Sequence, residues 1–118
     1  MSGETNPGRA TIAYACSYLT ARRFEMRRQV ALRVLKPKRV LTSWSPALDL
    51  CLLAEGCIEA FVGDRNELYD FVAGKLIAQE AGGIVSNLRG QRTRTDAADS
   101  FMVSCSRVLQ QKLITVLR

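Results

Sequence analysis

The stretch of sequence that decides the fold reads Tyr69-Asp70-Phe71-Val72-Ala73-Gly74-Lys75-Leu76-Ile77-Ala78-Gln79-Glu80-Ala81-Gly82-Gly83. A polar turn over residues 63–67 precedes it, and a short apolar segment over residues 83–87 follows it. The stretch predicts a helix over residues 68–81, because the glycine pair at its end suits a left-handed C-cap. It therefore indicates a helix that connects two strands.

Outside this stretch, short apolar segments alternate with longer amphipathic ones. The helix over residues 46–55 has a clear start, since Ser45 suits the N-cap and Pro46 the first helical position. Alternation of this kind is typical of α/β proteins. We predict a single sheet of about five strands flanked by helices, formed by residues 10–118, with residues 1–9 as a disordered tail. The predicted strands cover residues 11–18, 38–42, 57–62, 83–87 and 100–105, and the predicted helices cover residues 20–35, 46–55, 68–81 and 107–117.

The composition is that of an ordinary soluble protein, with 47% hydrophobic and 24% charged residues. No apolar run approaches the roughly 20 residues that a membrane-spanning helix needs. The polar start of the chain also lacks the apolar core of a signal peptide. We therefore expect a cytoplasmic protein that does not enter a membrane.

The cysteine and histidine content narrows the possible chemistry. The four cysteines form no C-x-x-C pair and there is no histidine, so a zinc site of ordinary spacing is not expected. We interpret Cys16, Cys51, Cys57 and Cys105 as free thiols in a reducing compartment. Without histidine, Ser-His and Cys-His nucleophilic catalysis are excluded.

Basic residues are concentrated in one segment of a chain whose net charge is +6. Residues 22–39 hold eight basic residues and a single acid, Glu25. No recognised nucleic-acid-binding motif accompanies them, so a solvated helix face is favoured over nucleic-acid binding. The apolar residues of this helix are expected to form its buried side, with the arginines opposite. They are Phe24, Val30, Ala31, Val34 and Leu35.

Two segments resemble the inositol monophosphatase family in residue type and spacing. Residues 44–61 (W-S-P-A-L-D-L-C-L-L-A-E-G-C-I-E-A-F) are similar to the family's G-S-A-A-L-D-L-C-x-V-A-x-G-x-x-D-A-F segment. Residues 69–83 are similar to its W-D-x-A-A-G-x-x-I-x-x-E-A-G-G signature, and the gap between the two segments also fits. Weaker similarity covers about residues 10–118. The resemblance implies the C-terminal domain of the family's sugar phosphatase fold.

The resemblance also implies a Mg²⁺-dependent phosphate monoester hydrolase. Members of the family use bound Mg²⁺ ions to polarise the phosphate and to help activate the attacking water. Most of the carboxylates that hold these ions lie in the family's N-terminal half, in a Glu-containing loop and a D-P-I/L-D-G-T motif, and neither occurs here. Asp70 matches the one metal-binding aspartate of the C-terminal half. It also lies at a predicted helix start, where the helix dipole favours a carboxylate.

In the family, the helix that begins at Ser45 lines the sugar or inositol pocket. Free backbone N–H groups at such a start face an anion or a hydroxyl. This sequence departs from the family there, because Trp44 replaces a glycine and Pro46 removes a backbone donor. Both changes crowd or weaken the implied pocket.

A second group of substrate-binding candidates follows the strand over residues 57–62. Gly63 stands where inositol-specific members carry a glutamate, and Asp64 is adjacent. The form D-R-x-x-x-x-D, from Asp64 through Arg65 to Asp70, is similar to the dual inositol monophosphatase/fructose-1,6-bisphosphatase subgroup. There Arg65 would meet a second phosphate, although a surface arginine in a turn is the simpler interpretation.

Two functions remain open on the sequence. The first is the C-terminal portion of a Mg²⁺-dependent phosphomonoesterase acting on inositol phosphate or a related sugar phosphate, inactive without its N-terminal half. The second is a non-catalytic binding or assembly module derived from the family, which Trp44 and Pro46 favour. No catalytic residue is assigned beyond the metal ligand Asp70. A surface that another domain covers in relatives would expose apolar side chains, so we expect self-association or a partner domain.

Overall fold

The computed structural model describes residues 1–18, 20–92 and 100–117. The strands are β1 (Thr11–Cys16), β2 (Arg39–Leu41), β3 (Ala60–Asp64), β4 (Ile84–Ser86) and β5 (Phe101–Ser104). The helices are α1 (Arg22–Val34), α2 (Pro46–Ala54), α3 (Leu68–Glu80) and α4 (Arg107–Leu117). Of these helices, none is long and apolar enough to cross a bilayer.

The five strands form one sheet in the order β2-β1-β3-β5-β4. Strand β1 pairs in parallel with both β2 and β3, whereas β5 runs antiparallel to its neighbours β3 and β4. The prediction of a single five-stranded sheet flanked by helices is therefore confirmed. Because β1, β2 and β3 are parallel, their carboxyl ends lie at the same edge, which we call the carboxyl edge.

Each face of the sheet carries its own apolar cluster, as alternation of side chains along a strand requires. One cluster, which includes Ile12, Tyr14 and Val62, is closed by α1 and α4. The other, which includes Phe61 and Phe101, is closed by α2 and α3. The sheet is thus covered by helices on both faces.

Strand β3 begins and ends later than the predicted range of 57–62. Residues before Ala60 are used to connect α2 to the sheet: the Cys57 N–H donates to the Leu52 carbonyl at 2.9 Å. Glu59 exchanges two hydrogen bonds with the start of β1, since its N–H donates to the Thr11 carbonyl and its Oε1 accepts from the Thr11 N–H. The ladder therefore starts at Ala60 and runs on to Asp64.

The prediction for the buried side of α1 was only partly right, since Ala31 and Leu35 pack against the cluster that α1 and α4 close but Val30 and Val34 do not. Val30 and Val34 are 64% and 65% exposed and share the outer side with arginines. The inward side is set by Leu32, which is fully buried, and by Arg28, one turn earlier, which reaches into the fold. These two residues fix the rotation of the helix, because positions four apart lie on the same face.

Residues 1–9 are not a disordered tail in this structure, and that prediction is corrected. They contain a single 3-10 turn, Pro7–Arg9, whose Pro7 is buried. The Glu4 carbonyl accepts hydrogen bonds from the Cys105 Sγ and the Ser106 hydroxyl, both at 3.3 Å. These contacts with the region after β5 give the first residues a defined path.

Candidate functional site

The carboxyl edge brings together the starts of two neighbouring helices. Helix α2 follows β2 and α3 follows β3, so both begin where parallel strands end. The helices pack closely at Gly74, where an added Cβ would lie 3.0 Å from the Leu50 Cβ and 3.4 Å from the Ala47 Cα. The structure therefore places Ser45 and Asp70 at the same edge of the sheet, on the face that α2 and α3 cover.

At the start of α2, Ser45 is the N-cap that the sequence predicts. Its Oγ accepts a hydrogen bond from the Leu48 N–H at 3.3 Å. Pro46 contributes no donor, so the Ala47 N–H is the donor of this first turn that is left without a partner among the described hydrogen bonds. Pro46 therefore reduces the number of free backbone N–H donors that the start of α2 can present to an anion.

Trp44, directly before the cap, has a left-handed backbone with φ of 65°. This conformation favours glycine and is strained for other residues. The side chain is 71% exposed, so packing within the chain does not account for the tryptophan. The backbone explains why a glycine suits this position in similar sequences.

Behind the cap, Asp49 is a fully buried carboxylate that the sequence analysis did not single out. Its Oδ1 accepts a hydrogen bond from the Ser43 hydroxyl at 2.8 Å, and Oδ2 has no partner among the described residues. Burial raises the pKa of this carboxyl, against the lowering effect of the Ser43 hydrogen bond. The sequence did offer one indication of this buried carboxylate, because Asp49 is a charged residue one turn into an otherwise apolar helix.

At the start of α3, Asp70 is exposed and lies in the first turn. This position is expected both for a metal ligand and for a carboxylate that interacts favourably with the helix dipole. Its N–H donates to the Glu67 carbonyl at 2.9 Å. Glu67 is the N-cap, but its side chain makes no capping bond. The Leu68 and Tyr69 N–H groups have no partner among the described hydrogen bonds, so they are the donors that α3 presents at this edge.

Asp64 lies on the opposite face of the sheet from Asp70. It is 1% exposed, and its Oδ2 accepts from Arg28 Nε at 3.0 Å and from the Tyr14 hydroxyl at 2.8 Å. Burial, followed by the charge of Asp64, raises the pKa of Tyr14. Arg28 also donates to the Leu117 carbonyl at 2.8 Å, so the group connects α1, the sheet and α4. In this arrangement Asp64 is a structural residue that faces away from the helix starts.

Arg65, the next residue, is exposed and has a left-handed backbone with φ of 52°. Its N–H donates to the Ser100 hydroxyl at 3.2 Å. Gly63, on the face of α2 and α3, has no room for a side chain, because an added Cβ would lie 2.8 Å from Asn66 Nδ2. The Asn66 amide is held there by the Ala15 carbonyl at 3.0 Å. The edge therefore carries Arg65 but no acid at position 63.

The described residues do not make a complete Mg²⁺ site. Among them, no group of three or more His, Cys, Asp and Glu side chains could hold a metal ion. Magnesium prefers an octahedron of oxygen ligands, for which one exposed carboxylate is insufficient. If Asp70 binds Mg²⁺, the other ligands of the ion would have to come from outside these residues.

This α/β domain places two helix N-termini and a carboxylate at the carboxyl edge of its sheet, an arrangement typical of domains that bind anionic ligands there. The chain belongs to the inositol monophosphatase family, because the family's sequence profile matches residues 2–118.

Three relatives illustrate its neighbourhood. A bifunctional NADP phosphatase/NAD kinase of Methanococcus maripaludis is 37% identical over 84 residues, which are 67% of this chain and 15% of that protein. A fructose-1,6-bisphosphatase/inositol-1-monophosphatase of Methanothermobacter thermautotrophicus is 45% identical over 60 residues, 49% of this chain and 21% of that protein. A putative Nus factor SuhB of Neisseria meningitidis is 37% identical over 67 residues, 57% of this chain and 25% of that protein.

Among solved structures, the inositol monophosphatase from Anabaena (Nostoc) sp. PCC 7120 superposes with a TM-score of 0.86 at 21% identity. The match covers 98% of this chain and 47% of that one. At this identity the likeness shows a shared fold. The chain therefore spans less than half the length of this solved relative, and its matches cover about a quarter or less of the three curated ones.

Proposed function

We propose that this chain is the C-terminal portion of a Mg²⁺-dependent phosphomonoesterase and that it works only together with the N-terminal half of the family's fold. The observation that carries the proposal is the position of Asp70 in the first turn of α3, beside the start of α2. Asp70 would contribute one carboxylate to a metal site whose other ligands come from the N-terminal half. Mg²⁺ would supply charge neutralisation of the phosphate when bound.

The chain's own part in this function is to receive and orient the anion. Three N–H groups without partners among the described hydrogen bonds, those of Ala47, Leu68 and Tyr69, lie in the first turns of the two helices. Helix N-termini attract anions through such groups and through the helix dipole. Ser45 holds the first turn of α2 in place through its cap. These groups would bind the phosphate ester against Asp70 and its metal.

The proposed substrate is a sugar phosphate or an inositol phosphate, the class that the name of the Methanothermobacter relative describes. Arg65 is exposed at the same edge and would meet a second phosphate as a charge-assisted partner. Asp64 is left out of the proposed substrate contacts, because Arg28 and Tyr14 already occupy its buried carboxylate.

The test is complementation. The chain is co-expressed with the N-terminal half of a relative that carries the D-P-I/L-D-G-T motif, and Mg²⁺-dependent release of phosphate from fructose 1,6-bisphosphate and inositol 1-phosphate is measured. We expect turnover by the pair and no turnover by the chain alone. Asp70→Asn, which removes a metal ligand, should lower the turnover of the pair by at least about 100-fold. The control is Glu80→Gln, an exposed carboxylate at the far end of α3.

Two results would overturn the proposal. One is ordinary enzymic turnover by the chain alone that is lost in Asp70→Asn. The other is an inactive pair whose two halves are shown by co-purification to be associated and folded.

The alternative is a non-catalytic binding or assembly module. It is favoured by Trp44 and Pro46, which crowd the start of α2 and remove one of its donors. One relative of this chain is named as a putative Nus factor, SuhB of Neisseria meningitidis. If the chain binds its partner half but the pair shows no Mg²⁺-dependent release of phosphate, the module is the better description.

A further inference from the structure

The helices on the two faces of the sheet differ in charge. On one face, α1 holds five basic residues and α4 holds two, against a single acid, Glu25. On the other face, α2 holds one acid, and α3 holds two acids and one lysine. The helices on the first face are therefore basic, whereas those on the side where Asp70 lies are acidic.

The outward side of α1 combines apolar side chains with arginines. Met26, Val30 and Val34 lie four residues apart on one side of the helix and are 57%, 64% and 65% exposed. With the exposed Arg23 and Arg27 they form what we call the α1 outer face. An open groove of about 700 Å³ on this face is lined by residues of α1, namely Arg22, Arg23, Met26, Arg27, Val30 and Ala31.

The arginines of this groove have no ion-pair partner within the described part of the chain. Arg22, Arg23 and Arg27 are all exposed. Arg22 and Arg23 also lie in the first turn of α1, where the helix dipole disfavours cations, so their charges do not stabilise the helix. A guanidinium group matches the geometry of a phosphate group. These side chains are therefore suited to an external phosphate.

Glu25, the one acid of α1, lies on another side of the helix. It is half-buried and lines a cleft beside the carboxyl end of β1, not the groove of the α1 outer face. Burial, followed by the charge of Glu25, raises the pKa of the Cys16 thiol, which places this carboxylate beside the last residue of β1. Glu25 therefore offsets the charge of Arg22 in the cleft but leaves Arg23 and Arg27 unopposed.

Two exposed aromatic residues extend the α1 outer face. Tyr18 and Trp44 are 83% and 71% exposed and line the cleft that Glu25 lines. Arg22 and Met26 line both the cleft and the groove, so the two surfaces are continuous. Tyrosine and tryptophan are favoured at a membrane–water interface, where the ring lies in an apolar layer and its polar atom stays wet. Aromatic rings, an apolar stripe and flanking arginines are typical of helices that lie on an anionic lipid surface.

The N-terminal half of the family's fold would leave this surface open. If that half completes a metal site around Asp70, it lies on the side of α2 and α3, and α1 covers the opposite face of the sheet. This step rests on the proposed function, whereas lipid binding by the chain itself does not.

We propose that the α1 outer face, together with Tyr18 and Trp44, binds the surface of a bilayer that contains anionic phospholipids. The arginines contact lipid phosphates, while Met26 and Val30 enter the layer beneath the headgroups. A nucleic acid supplies phosphates but no apolar medium for the exposed stripe, whereas a lipid surface supplies both. Binding of this kind needs no membrane-spanning helix.

The test uses Trp44 as the reporter, since it is the single tryptophan of the chain. The full chain is titrated with phosphatidylcholine vesicles, with and without added phosphatidylglycerol. Only vesicles with phosphatidylglycerol are expected to shift the tryptophan emission to shorter wavelength, and lipids brominated on their acyl chains should quench it. Raising the salt concentration from about 0.01 M to about 1 M should weaken binding, because salt screens the arginines.

Substitutions separate the charged part of the contact from the apolar part. Arg23→Gln and Arg27→Gln should each weaken binding to the anionic vesicles by about 5-fold. Val30→Ala should weaken it by up to about 15-fold, since each carbon removed from the lipid contact accounts for about 4-fold. All three substitutions lie at exposed positions of α1 and keep residues that are compatible with a helix.

Two matched variants are the controls. Arg89→Gln removes an exposed arginine that follows β4, at the far edge of the sheet from β2. Val72→Ala shortens a valine of α3, 36% exposed, on the other face of the sheet. Neither should change binding to the vesicles.

The proposal is overturned if vesicles with phosphatidylglycerol leave the Trp44 emission unchanged up to about 10 mM lipid, or if phosphatidylcholine alone binds equally well. It is also overturned if Val30→Ala binds as tightly as the unaltered chain, since the contact would then be one of charge alone. An emission shift that follows protein concentration without lipid would instead place a second copy of the chain on this face. Lipid binding is measured on the chain alone, so the result is independent of whether the complemented pair hydrolyses phosphate esters.

Discussion

Asp49 is a carboxyl group whose burial on folding costs electrostatic free energy when it is charged. The carboxyl is fully buried, one oxygen accepts from Ser43, and the other has no partner among the described residues. Burial raises its pKa in the folded state, so the folded chain holds this proton more tightly than the unfolded chain does. The stability that the protonated group contributes is therefore present below the ordinary carboxyl pKa of about 4 and is lost as pH rises through the raised pKa.

We predict that Asp49→Asn increases the free energy of unfolding at pH 7 by about 1–3 kcal/mol, because it removes the buried, half-satisfied charge while retaining an acceptor for Ser43. It should also flatten the decline in stability above about pH 4. Urea unfolding at several pH values measures both effects. Glu80→Gln, which alters an exposed carboxylate, is the control. An unchanged pH slope in Asp49→Asn would contradict the prediction.

The position of Asp64 could not be predicted from the sequence because it depends on where β3 ends. The predicted strand stopped at residue 62, which placed Asp64 in a turn, where it was a substrate-binding candidate together with Arg65. The observed ladder runs to Asp64, and alternation then places its side chain with Tyr14 on the α1 side. The start of β3 is set by Glu59 and its two bonds to Thr11, 48 residues away in sequence.

The contact between α2 and α3 is the element on which the proposed site depends. Gly74 lets the helices approach, and both starts reach the carboxyl edge as a result. We predict that Gly74→Val reduces the free energy of unfolding by about 1–3 kcal/mol, since its branched side chain would overlap Leu50. Chemical denaturation followed by circular dichroism measures the change.

The control for that substitution is Ala73→Val, one position along the same helix and exposed. It carries the helix-propensity cost of valine against alanine, about 0.6 kcal/mol or less, without the overlap, whereas Gly74→Val gains helix propensity because glycine is the poorer helix former. If Gly74→Val is as stable as the unaltered chain or more stable, helix propensity and not the close approach of the helices decides the outcome.

Elements with strong local signals were predictable from the sequence, and elements placed by distant contacts were less so. The predicted range of α4 matches the observed helix, and α3 starts at the predicted residue. Gly82 has the left-handed φ, 105°, that the glycine pair indicated. The predicted buried side of α1 was only partly right, because Arg28 points inward to a partner on β3 that no local pattern reveals. The start of α2 at Pro46 was predictable, whereas the buried setting of Asp49 was not.

At the scale of the whole molecule, α3 carries an apolar surface that is open to solvent. Leu68, Val72 and Leu76 lie four residues apart on α3 and form what we call the α3 outer face. They are 52%, 36% and 58% exposed. Large exposed apolar patches commonly mark an interaction surface. We propose that the N-terminal half of the family's fold, or in its absence a second copy of the chain, covers this face.

We predict that the chain alone self-associates through the α3 outer face and that Leu76→Lys weakens the association, because a charge at the contact must be desolvated. Sedimentation velocity over a range of concentrations measures this. Val108→Lys, a substitution at a residue 50% exposed on α4, should leave the association unchanged. A strictly monomeric species at the highest concentration would contradict the prediction.

The place of β5 inside the sheet has a consequence for synthesis on the ribosome. β5 is the last strand in sequence, yet it lies between β3 and β4. β3 therefore has one of its two edges without a partner until residues 101–104 have left the exit tunnel, and β4 has no neighbour before then. The hydrogen bond from Arg28 to the Leu117 carbonyl can form only later, after Leu117 has been synthesised. The nascent chain thus exposes unpaired strand edges between the synthesis of β3 and that of β5, so we expect this protein to depend on chaperones that shield such edges while it is being made.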